Sequence, residues 1–184
     1  MLVRHNVFIS YHHDRNGNYS YWSKRDFEYR DDFERMCSRE FNILVSKAVQ
    51  DGDIASSSSS DNTHRIIRDK YLRDSTVTVV LIGNETWKRK HVDWEISSSL
   101  RQTAYNSRNG LIGILLPTHQ DYSKGQFYKN NIPQRLAMNI DNGFAKIYDW
   151  SNNPYEIQQW IYEAFQRRDK INPDNSLEMF TRNR

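Results

Sequence analysis

The strongest hydrophobic signal in the chain is "TVTVVLIG", Thr76 to Gly83. It is almost continuously apolar and β-branched, the pattern of a central strand covered on both faces. "LIGILLP" (Leu111 to Pro117) predicts a second such strand, "NVFISY" (Asn6 to Tyr11) a short first strand and "AKIYDW" (Ala145 to Trp150) a last one. "FNILVSKAV" (Phe41 to Val49) supplies a weaker candidate. Between these runs the apolar period changes from two to helical. Tyr29, Phe33, Met36 and Cys37 share a face within "DFEYRDDFERMC", and Ile67 and Tyr71 lie four apart in "RIIRDKYL". The last helix has clear start signals: Asn153 can cap, Pro154 suits the first helical position, and Glu156 can reach back as in a capping box. Ile157, Trp160, Ile161, Ala164 and Phe165 follow as one apolar face. "DGDIASSSSSDNTH" (Asp51 to His64) has loop composition; Ser56 to Ser60 is expected to be mobile and near a cleft mouth. Thr118 to Gly143 is polar and predicts a surface excursion.

Strands alternating with helices, with apolar central strands, predict an α/β fold: an open parallel sheet with helices on both faces. The boundaries are a single domain over residues 1–168 and a loosely held tail over 169–184. Ligands of such sheets bind beyond the carboxyl ends of the strands. The residues after "FIS", "KAV" and "LIG" are therefore the first candidates for chemistry.

Composition narrows the field. The 184 residues suit one domain, and 37% hydrophobic with 13% aromatic residues indicates a folded chain. A net charge of +3, with bases spread among acids, argues against nucleic acid as a partner. There is no apolar run of the ~20 residues that a membrane span needs, and no signal-peptide pattern. With Cys37 as the one cysteine, a cytoplasmic location is expected.

The common phosphate-cradling glycine motifs are missing, as are Gly-x-Ser-x-Gly, His-Glu-x-x-His and any cysteine pair, so no cofactor loop, hydrolase elbow or metal site is expected. A phospho-receiver needs an aspartate where "VVLIGN" ends in Gly83 and Asn84. What remains is a cluster at strand ends: Ser10, Tyr11 and His12 after the first strand, then Gly83, Asn84 and Trp87, then His91 and Glu95 on the following helix. His91 and Glu95 lie one turn apart on one side. Val92, Ile96, Leu100 and Thr103 make the inward stripe. At about 100° per residue Glu95 falls roughly 95° from its middle, at the border, and Trp94 points outward, exposed or at an interface. By helix geometry alone Glu95 is more often a solvated ion-pair residue than a catalytic one, and Trp87 more often a packing anchor.

"VFISYHHD", "IIRDKYLRDSTVTVVLIGNETWKRKHVDWEI" and "LIGILLP" together resemble the bacterial toll/interleukin-1-receptor-like (TIR-like) family, in particular the TIR-like subunits of Thoeris anti-phage systems. The resemblance implies a flavodoxin-like, five-stranded parallel sheet. It also implies an enzyme of NAD glycohydrolase or ADP-ribosyl cyclase type that cleaves the nicotinamide–ribose bond. The product would be an ADP-ribose-derived, cyclic signal made when a phage component triggers the protein. That diffusible nucleotide would act on a separate effector. NAD is then substrate, with no cofactor or metal, and self-association is expected. The family's essential glutamate matches Glu95. Many members show Trp-x-x-Glu there, where this chain has Val92 and places Trp94 directly before Glu95; Thoeris-type members are similar. Ser10, Tyr11 and His12 would line the NAD site, joined by Asn84, Trp87 and His91. Two other readings stand beside this one: a non-enzymatic TIR adaptor acting by self-association, and a nucleoside deoxyribosyltransferase-like enzyme.

Overall fold

The computed structural model describes residues 5–13, 23–40, 44–46, 54, 59–104 and 106–184. Along the chain run β1 (Asn6–Ser10), α1 (Asp26–Glu40), β2 (Leu44–Ser46), α2 (Ser60–Ile67), β3 (Val77–Ile82), α3 (Lys90–Ser99), β4 (Gly110–Leu115), α4 (Gln134–Asp141), β5 (Ala145–Asp149) and α5 (Pro154–Arg167). A π-helical turn, Arg68–Leu72, extends α2, and a 3-10 turn, Thr86–Lys88, precedes α3.

The strands pair in parallel in the order β2-β1-β3-β4-β5. β3 and β4 are buried at every position, as their unbroken apolar runs require of strands covered on both faces. Because side chains alternate along a strand, the sheet has two cores. Val7, Ile9, Val79, Leu81, Ile112 and Ile114 meet Phe33 and Cys37 of α1 and Ile157, Ile161 and Ala164 of α5. On the other face Val80, Ile82, Leu111 and Leu115 meet Val92 and Ile96 of α3 and Leu136 and Ala137 of α4. Phe8 joins Ile67, Leu72 and Trp94 in a third cluster on that side. The chain therefore reverses its winding between β1 and β3, the switch point where such sheets open a crevice. Among the described residues no helix is long and apolar enough to cross a membrane.

Several expectations are corrected. The loop expected through His64 ends earlier: Ser59 caps α2, its Oγ accepting the Asn62 amide at 3.3 Å, and the helix begins at Ser60. Ser56 to Ser58 lie outside the described residues, as do residues 41–43 and 47–49 of the second candidate strand. The stretch from Thr118 to Gly143 contains α4, whose Arg135, Leu136, Ala137 and Asn139 are buried. The tail is hydrogen-bonded to the rest of the chain. Its Asp174 amide donates to Asn139 Oδ1 at 2.9 Å, its Phe180 amide to Asp93 Oδ2 at 2.9 Å, and its Arg184 amide to the Lys88 carbonyl at 2.9 Å.

Candidate active site

Helix α3 places the candidate carboxylate. It follows β3 after one tight turn, in which the Gly83 amide donates to Thr86 Oγ1 at 3.0 Å. Its carboxyl end is closed by Arg68, whose Nη1 donates to the Ser98 and Arg101 carbonyls at 2.8 and 2.6 Å. One of these carbonyls lies in the last turn of the helix, where intrahelical donors run short, and the other just beyond it. The stripe continues only to Leu100; Thr103 lies beyond the helix and is exposed.

Residues His91 to Ser99 are all buried. Glu95, expected at the border of the buried face, has no exposed surface at all. Its Oε2 accepts a hydrogen bond from the Ser10 hydroxyl, itself fully buried at the end of β1. A buried carboxylate is costly unless hydrogen-bonded, and the Ser10 bond is one such contact. One turn earlier, His91 Nε2 lies 3.3 Å from the Tyr11 carbonyl oxygen, and its ring centroid is 6.4 Å from that of His12. The Tyr11 hydroxyl meets His13 Nδ1 at 2.8 Å. The structure thus brings Ser10 to Glu95, and Tyr11 and His12 to His91, across the switch point between β1 and β3.

Asn84 and Trp87 are placed differently. Asn84 is exposed, and its Oδ1 accepts the Gln120 amide at 3.0 Å, tying the turn after β3 to the loop after β4. Trp87 is half-buried and faces a groove of about 340 Å³ with Lys129, Asn130, Ile132, Gln134 and Arg184. Trp94, expected outside, is 7% exposed and donates from Nε1 to the Phe180 carbonyl at 2.7 Å. The tail covers the side of α3 that the stripe pattern leaves to solvent.

Sequence reasoning missed Asp26. It is the first residue of α1, is buried, and accepts the Thr118 hydroxyl at 2.6 Å. Its carboxylate lies flush against Gly83, where any Cβ would overlap it. The start of α1, the turn after β3 and the loop after β4 meet at this carboxylate. The only sequence signal is an acid in the first turn of a helix, which a favourable helix dipole explains equally well. Among the described residues no group of three His, Cys, Asp or Glu side chains is placed to hold a metal ion.

A parallel α/β sheet with a helix-borne carboxylate buried at its switch point fits a TIR-like domain. Residues 8–121 match the family described as Thoeris protein ThsB, TIR-like domain, and the chain belongs to that family. Membership supports a role in anti-phage defence.

Proposed function

We propose that this chain is an NAD-consuming enzyme that cleaves the bond between nicotinamide and ribose and makes a cyclic, ADP-ribose-derived signal in anti-phage defence. The observation that carries the reading is Glu95: a fully buried carboxylate, aimed at the end of β1 and held by a serine hydroxyl.

Cleaving the glycosidic bond builds positive charge on the ribose, as in glycoside hydrolysis. The C–N bond breaks with its electron pair going to the nicotinamide nitrogen. Nicotinamide is cationic in NAD and leaves neutral, so no strong general acid is needed. A fixed carboxylate beside the sugar stabilises the developing oxocarbenium ion and accepts hydrogen bonds from ribose hydroxyls. In the free protein the Ser10 hydroxyl occupies Glu95 Oε2. A ribose hydroxyl reaches that oxygen by taking the place of the Ser10 hydroxyl. Low local dielectric then strengthens the carboxylate's effect on the cation. Tyr11, His12 and His91 adjoin the carboxylate at the end of β1, and Asp26 holds the turn after β3 and the loop after β4 through Gly83 and Thr118. Water as acceptor yields ADP-ribose; an atom of the adenine or of the second ribose yields a cyclic product. A phage component as trigger, self-association and a separate effector reached by the diffusible product complete the proposal; the location is cytoplasmic.

The test is nicotinamide release from NAD by protein taken from phage-challenged cells. Glu95→Gln retains size and most hydrogen bonding but removes the charge. Its rate should fall roughly 10²–10³-fold, the magnitude typical of lost electrostatic stabilisation. A folded Glu95→Gln protein releasing nicotinamide at the unmodified rate would refute the role of the carboxylate.

A further inference from the structure

The helix that carries Glu95 is gripped from behind. Asp93 and Arg135 form an ion pair with both side chains buried, Nε to Oδ1 at 2.9 Å and Nη2 to Oδ2 at 3.2 Å. The remaining Arg135 donors go to the tail. Nη1 donates to Asn175 Oδ1 at 2.7 Å and to the Leu177 carbonyl at 2.8 Å, and Nη2 donates also to the Glu178 carbonyl at 3.3 Å. All five N–H groups of a guanidinium can be used this way. The tail in turn holds α3 along its length. Asn183 Oδ1 accepts the Lys90 amide at 2.9 Å, the Phe180 amide donates to Asp93 Oδ2, and Asn175 Nδ2 donates to the Ser97 carbonyl at 3.0 Å.

Lys90, Asp93 and Ser97 stand at i, i+3 and i+7, so they share one face of the helix. Glu95 is two residues from both Asp93 and Ser97. At about 100° per residue it lies nearly diametrically across from that face. The grip therefore sets the rotation of α3 about its axis, and that rotation sets where Glu95 points. A carboxylate roughly 6 Å from a helix axis swings about 1 Å for a 10° turn. A misplacement of about 1 Å costs a reacting group on the order of 10² in rate. Net stability is a poor explanation for the pair, because buried ion pairs are commonly replaced by apolar side chains at little cost. Asp93 lies within the family match over residues 8–121, whereas Arg135 and the tail lie beyond it.

We propose that Arg135, acting through Asp93 and the tail segment 174–180, is a positioning residue that aims Glu95 at the end of β1. This rests on the proposed role of Glu95 in NAD cleavage. The test uses the full chain with the double variant Asp93→Leu/Arg135→Met, which removes both charges and leaves neither unpaired. Ile161→Val, on the opposite face of the sheet, serves as a control for general loosening. Three quantities are read: the melting transition, kcat and KM for NAD cleavage, and the 13C signal of the Glu95 carboxyl in protein labelled at glutamate Cδ, assigned by its loss in Glu95→Gln. The double variant should fold, lose about tenfold or more in kcat with KM within about twofold, and show a displaced Glu95 signal. The control should move neither. If the double variant does not fold, Arg135→Lys is read in the same way, since lysine retains the charge but loses the bidentate geometry. If the unmodified protein does not cleave NAD, the proposed reaction falls, and the Glu95 signal alone decides the positioning role. A folded variant with an unshifted Glu95 signal overturns it.

Discussion

Replacing Trp94 by alanine should be among the most destabilising single changes in α3. Its side chain is 93% buried, since only 7% is exposed, against Phe8, Ile67 and Leu72. A buried indole covers roughly 150–250 Å², which at about 25 cal/mol/Å² corresponds to roughly 4–6 kcal/mol. Alanine restores part of that contact, and large-to-small changes of this kind cost about 3–5 kcal/mol. The Phe180 carbonyl also loses its 2.7 Å bond from Nε1, worth about 1 kcal/mol. We therefore expect about 4 kcal/mol for Trp94→Ala. Trp94→Phe preserves most of the packing but not the hydrogen bond, so about 1–2 kcal/mol is expected. With a urea m-value of about 2 kcal/mol/M, the two midpoints should fall by about 2 M and by somewhat under 1 M. The assay is urea unfolding followed by far-UV circular dichroism, with sedimentation velocity on the folded protein. Sedimentation should be unchanged, because the indole is packed within the chain against α2 and the tail. A Trp94→Ala midpoint within about 0.5 M of the unmodified protein, or a change in oligomeric state without loss of stability, would refute this placement.

Two further outcomes follow from buried groups at the rim and behind α3. His64 is pushed down to about 4, chiefly by burial and then by the nearby Arg101 and Arg135. Its ordinary value is 6.5, so the unfolded chain takes up a proton that the folded chain refuses; stability is full above that value and falls as pH drops toward 4. The loss should be about 2 kcal/mol, and in His64→Asn this part of the pH dependence should vanish when urea midpoints are compared between pH 7 and pH 4. Gly83→Ala should displace the Asp26 carboxylate that lies against it, costing about 1–3 kcal/mol and most of the NAD cleavage proposed above. An alanine variant with unchanged melting temperature and rate would show that Asp26 has room to move at no cost.

The strands were legible because their burial is nearly complete. A run such as "VTVVLI" has few structures open to it besides a strand covered on both sides. The last helix was legible from its cap: Asn153 accepts the Tyr155 amide, and Pro154 stands at the start. Helix α4 carried comparable signals within its polar surroundings. Pro133 precedes it, Leu136, Ala137 and Ile140 are spaced for one face, and Gly143 follows at φ 82°. Overall polarity hid a short amphipathic helix. Asp26 and Arg135 were not legible in the same sense. Asp26 sits against Gly83 and accepts from Thr118, and Arg135 pairs with Asp93, Asn175 and tail carbonyls; these partners lie far off in sequence, where no local pattern of residue types points to them.

The placement of Glu95 shows where stripe arithmetic stops applying. Measuring an angle from Val92 and Ile96 assumes that a helix has a core side and a water side. Helix α3 has neighbours all round: the sheet at Val92 and Ile96, α2 at Ser98 through His64 Nδ1 at 2.9 Å, α4 at Asp93 through Arg135, the tail at Trp94, and β1 at Glu95 through Ser10. A helix so enclosed should be apolar throughout, yet this one contains His91, Asp93, Glu95 and three serines. Each of these polar groups has to be satisfied inside the protein, and most of the visible partners lie on distant segments. A helix held by that many directional bonds has one rotation available to it. That is a costly way to fill space and an effective way to hold one carboxylate still at the end of β1.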